Sequence, residues 1–221
     1  MASRQTSSVD KARDRIIAPR QQRSRDTLHR LLDAAEALLN ERVLDEITVS
    51  DIVSRAGSSV GSFYARFPCK EALVTELLRR YHEDAEREIA ALPGDDPWKG
   101  LDLEGRARVL VERVVHVCRR RRGLLRLRLQ RRITPGQGGL PEEEEWGERI
   151  VSAMRELFRP VQGEIRHPDA EAALSFALRI VDGVVLSSIL LDTESGAYGR
   201  LDDAPLVDRL VEAFTGYLKG C

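Results

Sequence analysis

Cysteine is scarce in this chain: three among 221 residues, Cys69, Cys118 and Cys221, odd in number and far apart. That argues against a disulfide framework and against a metal site of the Cys-x-x-Cys kind, and it fits a reducing compartment such as the cytoplasm. Long apolar runs are missing too; none approaches the roughly 18 residues that a membrane span needs. The opening stretch, MASRQTSSVDKARDRIIAPRQQRSR, has no apolar core of the secretory type, so no signal peptide is expected. Absent as well are the phosphate loops, GxSxG elbows, HExxH helices and GxGxxG turns of common enzyme sites. The histidines His29, His82, His116 and His167 are scattered, without the paired spacing of metal ligands. No catalytic residue, cofactor or metal is therefore expected. An all-α hydrolase assembled from distant residues is the rival class, and turnover on a broad substrate panel would reveal it.

What is present is enough apolar sequence, 42 %, for a sizeable core, and 32 % charged residues. Net charge is only −1, yet it is unevenly spread. Residues 1–30 hold eight Lys/Arg against three Asp, a net +5. Such asymmetry marks a basic arm, which serves either solubility or a polyanionic partner. Residues 1–23 show no apolar periodicity and are read as a disordered arm.

Helical periodicity starts at Leu28 and continues through Leu31, Leu32, Ala35, Leu38 and Leu39, with Asn40 as a stop. Thr48 opens a second helix as N-cap, with Asp51 in the place of the capping-box acid and Val49, Ile52 and Val53 facing inward. Gly57 breaks it through a positive φ. Ser58 or Ser59 caps a short third helix carrying Val60, Phe63, Tyr64 and Phe67, which Pro68 ends. A fourth carries Leu73, Val74, Leu77, Leu78 and Tyr81, and the segment from Leu92 to Trp98 is turn chemistry. A fifth places Ala107, Leu110, Val111, Val114, Val117 and Cys118 on one face, and Gly123 marks a break after it. The run Leu124–Leu129 alternates apolar and basic, a pattern that would suit a strand, but its helical surroundings favour helix. A loop over 134–139 precedes a helix with Trp146, Ile150, Ala153, Met154, Leu157 and Phe158, stopped by Pro160. After the start signal His167-Pro168-Asp169, residues 170–191 are apolar around most of the circumference, so that helix must be buried on several sides. Leu206, Val207, Leu210, Val211, Phe214 and Leu218 define the last. The prediction is an all-α chain of about nine helices without internal repeats.

The informative stretch is TVSDIVSRAGSSVGSFYARFPCKEAL, Thr48 to Leu73. Two short helices around a glycine turn make a helix-turn-helix, over about 47–66, whose second helix enters the DNA major groove. Thr48, Ser59 and Ser62 add hydroxyls, Tyr64 a phenol and Lys70 a charge, while helix N-termini offer free N–H groups to phosphate. Gly61 lets backbone come close, and the methyls of Val60 can meet a thymine methyl. A helix-turn-helix used only for packing is the alternative, and Phe63 and Phe67 belong to the core either way.

The spacing of Thr48, Ile52, Ala56-Gly57, Gly61, Phe63-Tyr64, Phe67, Lys70 and Leu73 resembles the N-terminal signature of the TetR (tetracycline-repressor-like) family of transcriptional regulators. The likeness covers residues 24–84; beyond it, only the helix pattern and IRHPDAEAALSFALRIVDGVV are similar. It implies a DNA-binding domain over 24–84 and a helical effector-binding and dimerisation domain over 85–221. It also implies a homodimer that acts as an operator-binding repressor, released when a small molecule enters the body. The family's phosphate and base contacts fall on Thr48, Ser59, Val60, Ser62, Tyr64, Arg66 and Lys70. Ser58, where an apolar residue is usual, and Pro68-Cys69, in place of a polar cap, depart from the pattern without removing a DNA donor. Beside this motif, Arg20, Arg23 and Arg25 of the arm could reach phosphates or the minor groove.

In the body, the last two long helices are the expected dimer seam. Tyr81, His116, Cys118, Trp146 and Asp182 are candidate effector contacts, although a lone histidine or tryptophan on an apolar helix is more often a core or boundary residue. Asp182 would be costly if buried unpaired. The arginines Arg119–Arg122, Arg126, Arg128, Arg131 and Arg132 form a solvated face, pair with the run Glu142–Glu145, or attract an anionic effector. Through the family's coupling of this region to the head, they could also touch the DNA-binding domain. A ligand-independent architectural protein and an activator could use the same parts, and effector and operator are not legible.

Overall fold

The computed structural model describes residues 22–91, 98–134, 143–190 and 202–220. Among them are nine α-helices and no strand. The chain forms two compact units, one of residues 22–83 with 123–134, the other of 84–91, 98–122, 143–190 and 202–220. Residues 1–21 of the expected arm 1–23, 92–97 of the expected turn 92–98, 135–139 of the expected loop 134–139, and residues 140–142, 191–201 and 221 lie outside the described residues, as does Arg20; residues 22 and 23 belong to the first helix and not to the arm.

In the first unit, α1 (Gln22–Glu41) buries Leu31, Leu32, Ala34, Ala35, Leu38 and Leu39 along one stripe. A 3₁₀ turn at Leu44–Glu46 leads to α2 (Val49–Arg55). Thr48 caps α2 through a reciprocal pair: its Oγ1 accepts the Asp51 N–H at 3.1 Å, and Asp51 Oδ2 accepts the Thr48 N–H at 2.9 Å. Two of the otherwise unsatisfied donors are thereby closed. Gly57 ends α2 at φ +56°, a conformation cheap only for glycine. Ser59 is the cap of α3 (Val60–Tyr64), its Oγ accepting the Ser62 N–H at 3.1 Å. Phe63 and Phe67 are completely buried with ring centroids 5.5 Å apart. Each contributes on the order of 2–3 kcal/mol of burial, far more than a five-residue helix gains from its own hydrogen bonds.

Helix α4 (Lys70–Ala91) buries Ala72, Leu73, Val74, Leu77, Leu78 and Tyr81. Arg80, only 16 % exposed, ties it to α1 by ion pairs to Asp33 (2.6 Å) and Glu36 (2.8 Å). Helix α6 (Arg122–Ile133) joins the first unit from Gly123 onward and buries Leu124, Leu125 and Leu127. The alternating run is thus helix. The expected break before α6 is present, but it falls at Arg121 and not at Gly123. Gly123 stands in the first turn of α6, where its N–H donates to Asn40 Oδ1 at 2.9 Å. A Cβ there would lie 2.0 Å from the Leu39 carbonyl oxygen, so the residue is glycine because two helix backbones meet.

In the second unit, α5 (Leu103–Arg120) is capped by Asp102, whose Oδ1 accepts the Gly105 N–H at 2.9 Å. Helix α7 (Glu143–Phe158) runs into a 3₁₀ turn, Arg159–Glu164, at Pro160. Helix α8 (Ala170–Leu190) is capped by Asp169, and α9 (Asp203–Lys219) packs against both α5 and α8. Phe158 and Phe214 meet at 5.3 Å. Arg106, 7 % exposed, spends its guanidinium on three carbonyls: Leu101 (3.1 Å), Leu157 (2.5 Å) and Trp98 (2.8 Å). They join the start of α5 to the end of α7.

Helix α8 corrects one expectation. Ala173, Leu174, Ala177, Leu178, Val181 and Val185 are buried, but the opposite face is open, with Phe176 50 % and Val184 38 % exposed beside exposed Asp182 and Gly183. The helix is therefore buried on one side only within a single chain, and Asp182 bears no burial cost.

Candidate nucleic-acid interface

The helix-turn-helix presents its outward residues on α3 because its inward ones are fully used. Phe63 is sealed in the core, whereas Val60 and Tyr64, one turn apart, both stand in the open. Val60 is 45 % and Tyr64 55 % exposed, an unusual state for large apolar or aromatic side chains. The Tyr64 ring is braced edge-on against Phe63, with centroids 5.3 Å apart at 85°, which aims the phenol outward. Gly61 lies exposed between them, and a side chain there would meet only Ser59 Oγ, at 3.9 Å from its Cβ.

The polar candidates are mostly committed to the local fold. Thr48, although exposed, donates its hydroxyl to Asp51 Oδ2 at 2.8 Å while capping α2. Ser59 donates to Ser62 Oγ at 3.0 Å, which leaves the Ser62 hydroxyl proton for an outside acceptor. Arg66 reaches back to the Ser62 carbonyl at 2.9 Å. Lys70 Nζ donates to the carbonyls of Leu44 (2.8 Å) and Ile47 (3.0 Å) and so pins the turn before α2; its third proton remains. Nothing in the sequence signals this second duty, because the partners lie 26 and 23 residues away. Of the arm, Arg25 is exposed on α1; the Arg23 side chain lies outside what is described.

Acidic groups near the motif are held in their charged state. The Asp51 carboxyl is lowered from its ordinary value, chiefly by the hydrogen bond from the Thr48 backbone and then by the Thr48 hydroxyl. The Glu41 carboxyl is lowered by its 2.6 Å bond to Arg55. Repulsion between these carboxylates and phosphate is thereby partly cancelled at source, by pairing with Arg55 and Arg42 (3.6 Å from Asp51).

The five effector candidates fall in different places. Tyr81 is buried in the first unit; Cys118 and Trp146 are buried in the second; Asp182 is exposed on α8. His116 is exposed and lines an open groove of about 280 Å³ between α5 and α9, together with Arg108, Glu112, Val115, Asp203 and Val207. Flanking it, Arg108 pairs with Asp208 and Arg119 with Asp203, each at 2.7 Å. In the basic patch, Arg121 pairs with Asp84 at 2.9 Å, and from α7 Arg149 pairs with Glu86. No group of three or more His, Cys, Asp or Glu among the described residues could hold a metal ion, and none of the described helices is long and apolar enough to cross a membrane.

Two family models match the chain. One, bacterial regulatory proteins of the tetR family, covers residues 31–77; the other, the tetracyclin repressor-like C-terminal domain, covers residues 102–218. A relative from Mycobacterium tuberculosis H37Rv, named the uncharacterized HTH-type transcriptional regulator Rv2250c, is 28 % identical over 204 residues, 87 % of this chain and 95 % of that one. The HTH-type transcriptional repressor KstR2 of Rhodococcus jostii is 40 % identical over 84 residues, 37 % of this chain and 38 % of that one. A TetR transcription regulator from Haloarcula marismortui shares the fold with a TM-score of 0.63 at 16 % identity, over 89 % of this chain and 98 % of that one.

Proposed function

Since the chain belongs to the TetR family of bacterial regulatory proteins, we propose that it is a homodimeric repressor that binds operator DNA through α2 and α3 and leaves it when a small molecule occupies the helical body. The observation that carries this reading is the exposed pair Val60 and Tyr64 on a short helix whose other large side chains are sealed in the core. Exposure of that kind has no use in a helix-turn-helix kept only for packing. On this reading the DNA-binding domain spans 24–84 and the effector-binding and dimerisation domain 85–221. Ser62, Tyr64 and Arg66 contact phosphates, Lys70 offers its remaining proton, Thr48 and Ser59 cap the two helices brought to the backbone, and Val60 and Gly61 face bases. Arg20, Arg23 and Arg25 follow the backbone or the minor groove next to α1. The protein acts in the cytoplasm, where its operator is, and needs no cofactor or catalysis.

Dimerisation runs through α8 and α9, where Phe176 and Val184 leave an apolar face open and Tyr217 of α9 stacks on Phe176 at 5.4 Å. A two-fold seam of this kind presents two recognition helices to successive major grooves, about 34–36 Å apart. The effector enters the body, with His116 beside the groove between α5 and α9, and Cys118 and Trp146 buried in the same unit.

The test is binding of the purified protein to fragments from upstream of its own gene and its neighbours, at two salt concentrations. Support is specific binding by a dimer that weakens steeply with salt and is lost in Tyr64→Ala while the variant stays folded. If neither those fragments nor a selection from random DNA yields a bound sequence, the reading fails.

A further inference from the structure

The surface of α3 that faces bases carries almost no group able to read a donor–acceptor pattern. Between Ser58 and Ala65 there is no Arg, Lys, Asn, Gln, Asp or Glu, the residue types that make two-pronged contacts with base edges. Of the hydroxyls, Ser59 serves the fold, accepting the Ser62 N–H at 3.1 Å and giving its proton to Ser62 Oγ at 3.0 Å; those of Ser62 and Tyr64 each have one proton to give, too few for a two-pronged contact. Arg66, the first long cation beyond the helix, has one guanidinium nitrogen on the Ser62 carbonyl at 2.9 Å. What projects from the first turn, the part of a recognition helix that meets base edges, is the Val60 isopropyl group, 45 % exposed. Beside it Gly61 adds no bulk, with only Ser59 Oγ 3.9 Å from where its Cβ would stand, so no side chain at that position obstructs methyl-to-base approach.

From this we infer that the chain selects its operator by thymine methyl groups seated against Val60, and not by two-pronged hydrogen bonding to purines. Thymine is the one base whose major-groove edge carries a methyl, so an apolar side chain at this position distinguishes A·T from G·C and fixes the strand on which the thymine lies. The inference rests on the operator-binding reading above and adds the chemistry by which that surface chooses a sequence.

The experiment uses the full-length protein. A bound sequence is first selected from random DNA, and each thymine of it is then replaced by deoxyuridine, which removes the methyl and keeps every Watson–Crick group. One thymine position per half-site is expected to weaken binding about fourfold, and about sixteenfold when both halves are substituted, the worth of one buried methyl each. In Val60→Ala the same replacement is expected to cost nothing further, because the protein side of the contact is gone. Val60 is largely solvated and alanine favours helix, so the variant keeps its fold, which an unchanged unfolding temperature checks. A selected operator whose affinity ignores deoxyuridine overturns the inference and leaves operator binding intact. So does a penalty that is equal in the wild type and in Val60→Ala. Failure to select any sequence overturns the underlying reading together with this one.

Discussion

Replacing Gly123 by alanine isolates the contact between α6 and α1. The added Cβ would lie 2.0 Å from the Leu39 oxygen, 2.2 Å from its carbonyl carbon and 2.6 Å from the Asn40 nitrogen. All three are backbone atoms, so no side-chain rotation relieves the overlap and α6 itself must retreat by more than about 1 Å to restore ordinary contact. Retreat stretches the 2.9 Å bond from the Gly123 N–H to Asn40, with a net loss of about 1 kcal/mol. It also loosens the packing of Leu124, Leu125 and Leu127, at about 1–3 kcal/mol. Against this stands a gain of about 0.5–1 kcal/mol for alanine over glycine in a helix. The balance is a destabilisation of about 2 kcal/mol, which in a chain of this length lowers Tm by about 4–8 °C. Gly147 is the control. It lies inside α7, and a methyl group added there would have nothing within 4 Å, so Gly147→Ala is expected to leave Tm unchanged or raise it by about 2–4 °C. Thermal unfolding at one fixed protein concentration, needed because a dimer's Tm depends on it, measures both. Equal Tm values for wild type and Gly123→Ala would refute the close approach on which the reasoning rests.

Three further outcomes follow from other parts of the molecule. Phe176→Asp together with Val184→Asp places two charges on the open face of α8 and is expected to give monomers in sedimentation at micromolar concentration while helix content is retained; a persistent dimer would move the seam elsewhere. Lys70→Met removes both hydrogen bonds to the Leu44 and Ile47 carbonyls and is expected to cost about 2 kcal/mol without any DNA present, whereas Tyr64→Phe leaves Tm unchanged and weakens operator binding; DNA titration beside calorimetry separates the two. The Asp51 carboxyl has a lowered pKa in the folded state, so its contribution is complete above the ordinary carboxylate range and is lost as pH falls through the lower folded value. Acid unfolding followed by circular dichroism is expected to show less dependence on pH below about 5 in Asp51→Asn than in the wild type, and an unchanged profile would discount the capping box.

The head is legible in the sequence because its signals are local. Thr48 and Asp51 are three residues apart and close on one another; Gly57 takes the turn that its lack of a side chain permits, and Ser59 forms the cap with its hydroxyl. Features set by chain segments far apart are not. Gly123 reads as a helix breaker because a lone glycine gives no hint that another helix's carbonyl lies against it, 84 residues earlier in the sequence for Leu39. Lys70 carries a charge in the right place for DNA, but the two carbonyls that hold it come from the turn before α2. The apolar circumference of α8 is plain in the sequence, yet burial on several sides within one chain does not follow from it. Hydrophobicity records a demand for cover, and a second chain can meet that demand as well as the first.

The same distinction explains why a helix of five residues suffices to present a DNA-reading surface. Alone, Val60–Tyr64 would not form, since the cost of the first turn exceeds what one or two hydrogen bonds return. Its conformation is imposed from outside by Ser59 at the start, by the fully buried Phe63 within and by Phe67 beyond its end. None of these anchors points toward the solvent face. Val60, Gly61 and Tyr64 are consequently released from any duty in the core, and the residues at those positions can change with the operator while the fold stays as it is. The expected signature is asymmetric: substitutions at Val60 and Gly61 alter which sequence is bound with little change in Tm, whereas Phe63→Ala and Phe67→Ala, each leaving a cavity at about 3–5 kcal/mol, remove binding to every sequence by unfolding the head. Specificity and stability in this unit are separable because they rest on different side chains of the same short helix, one set open to solvent and the other sealed in the core.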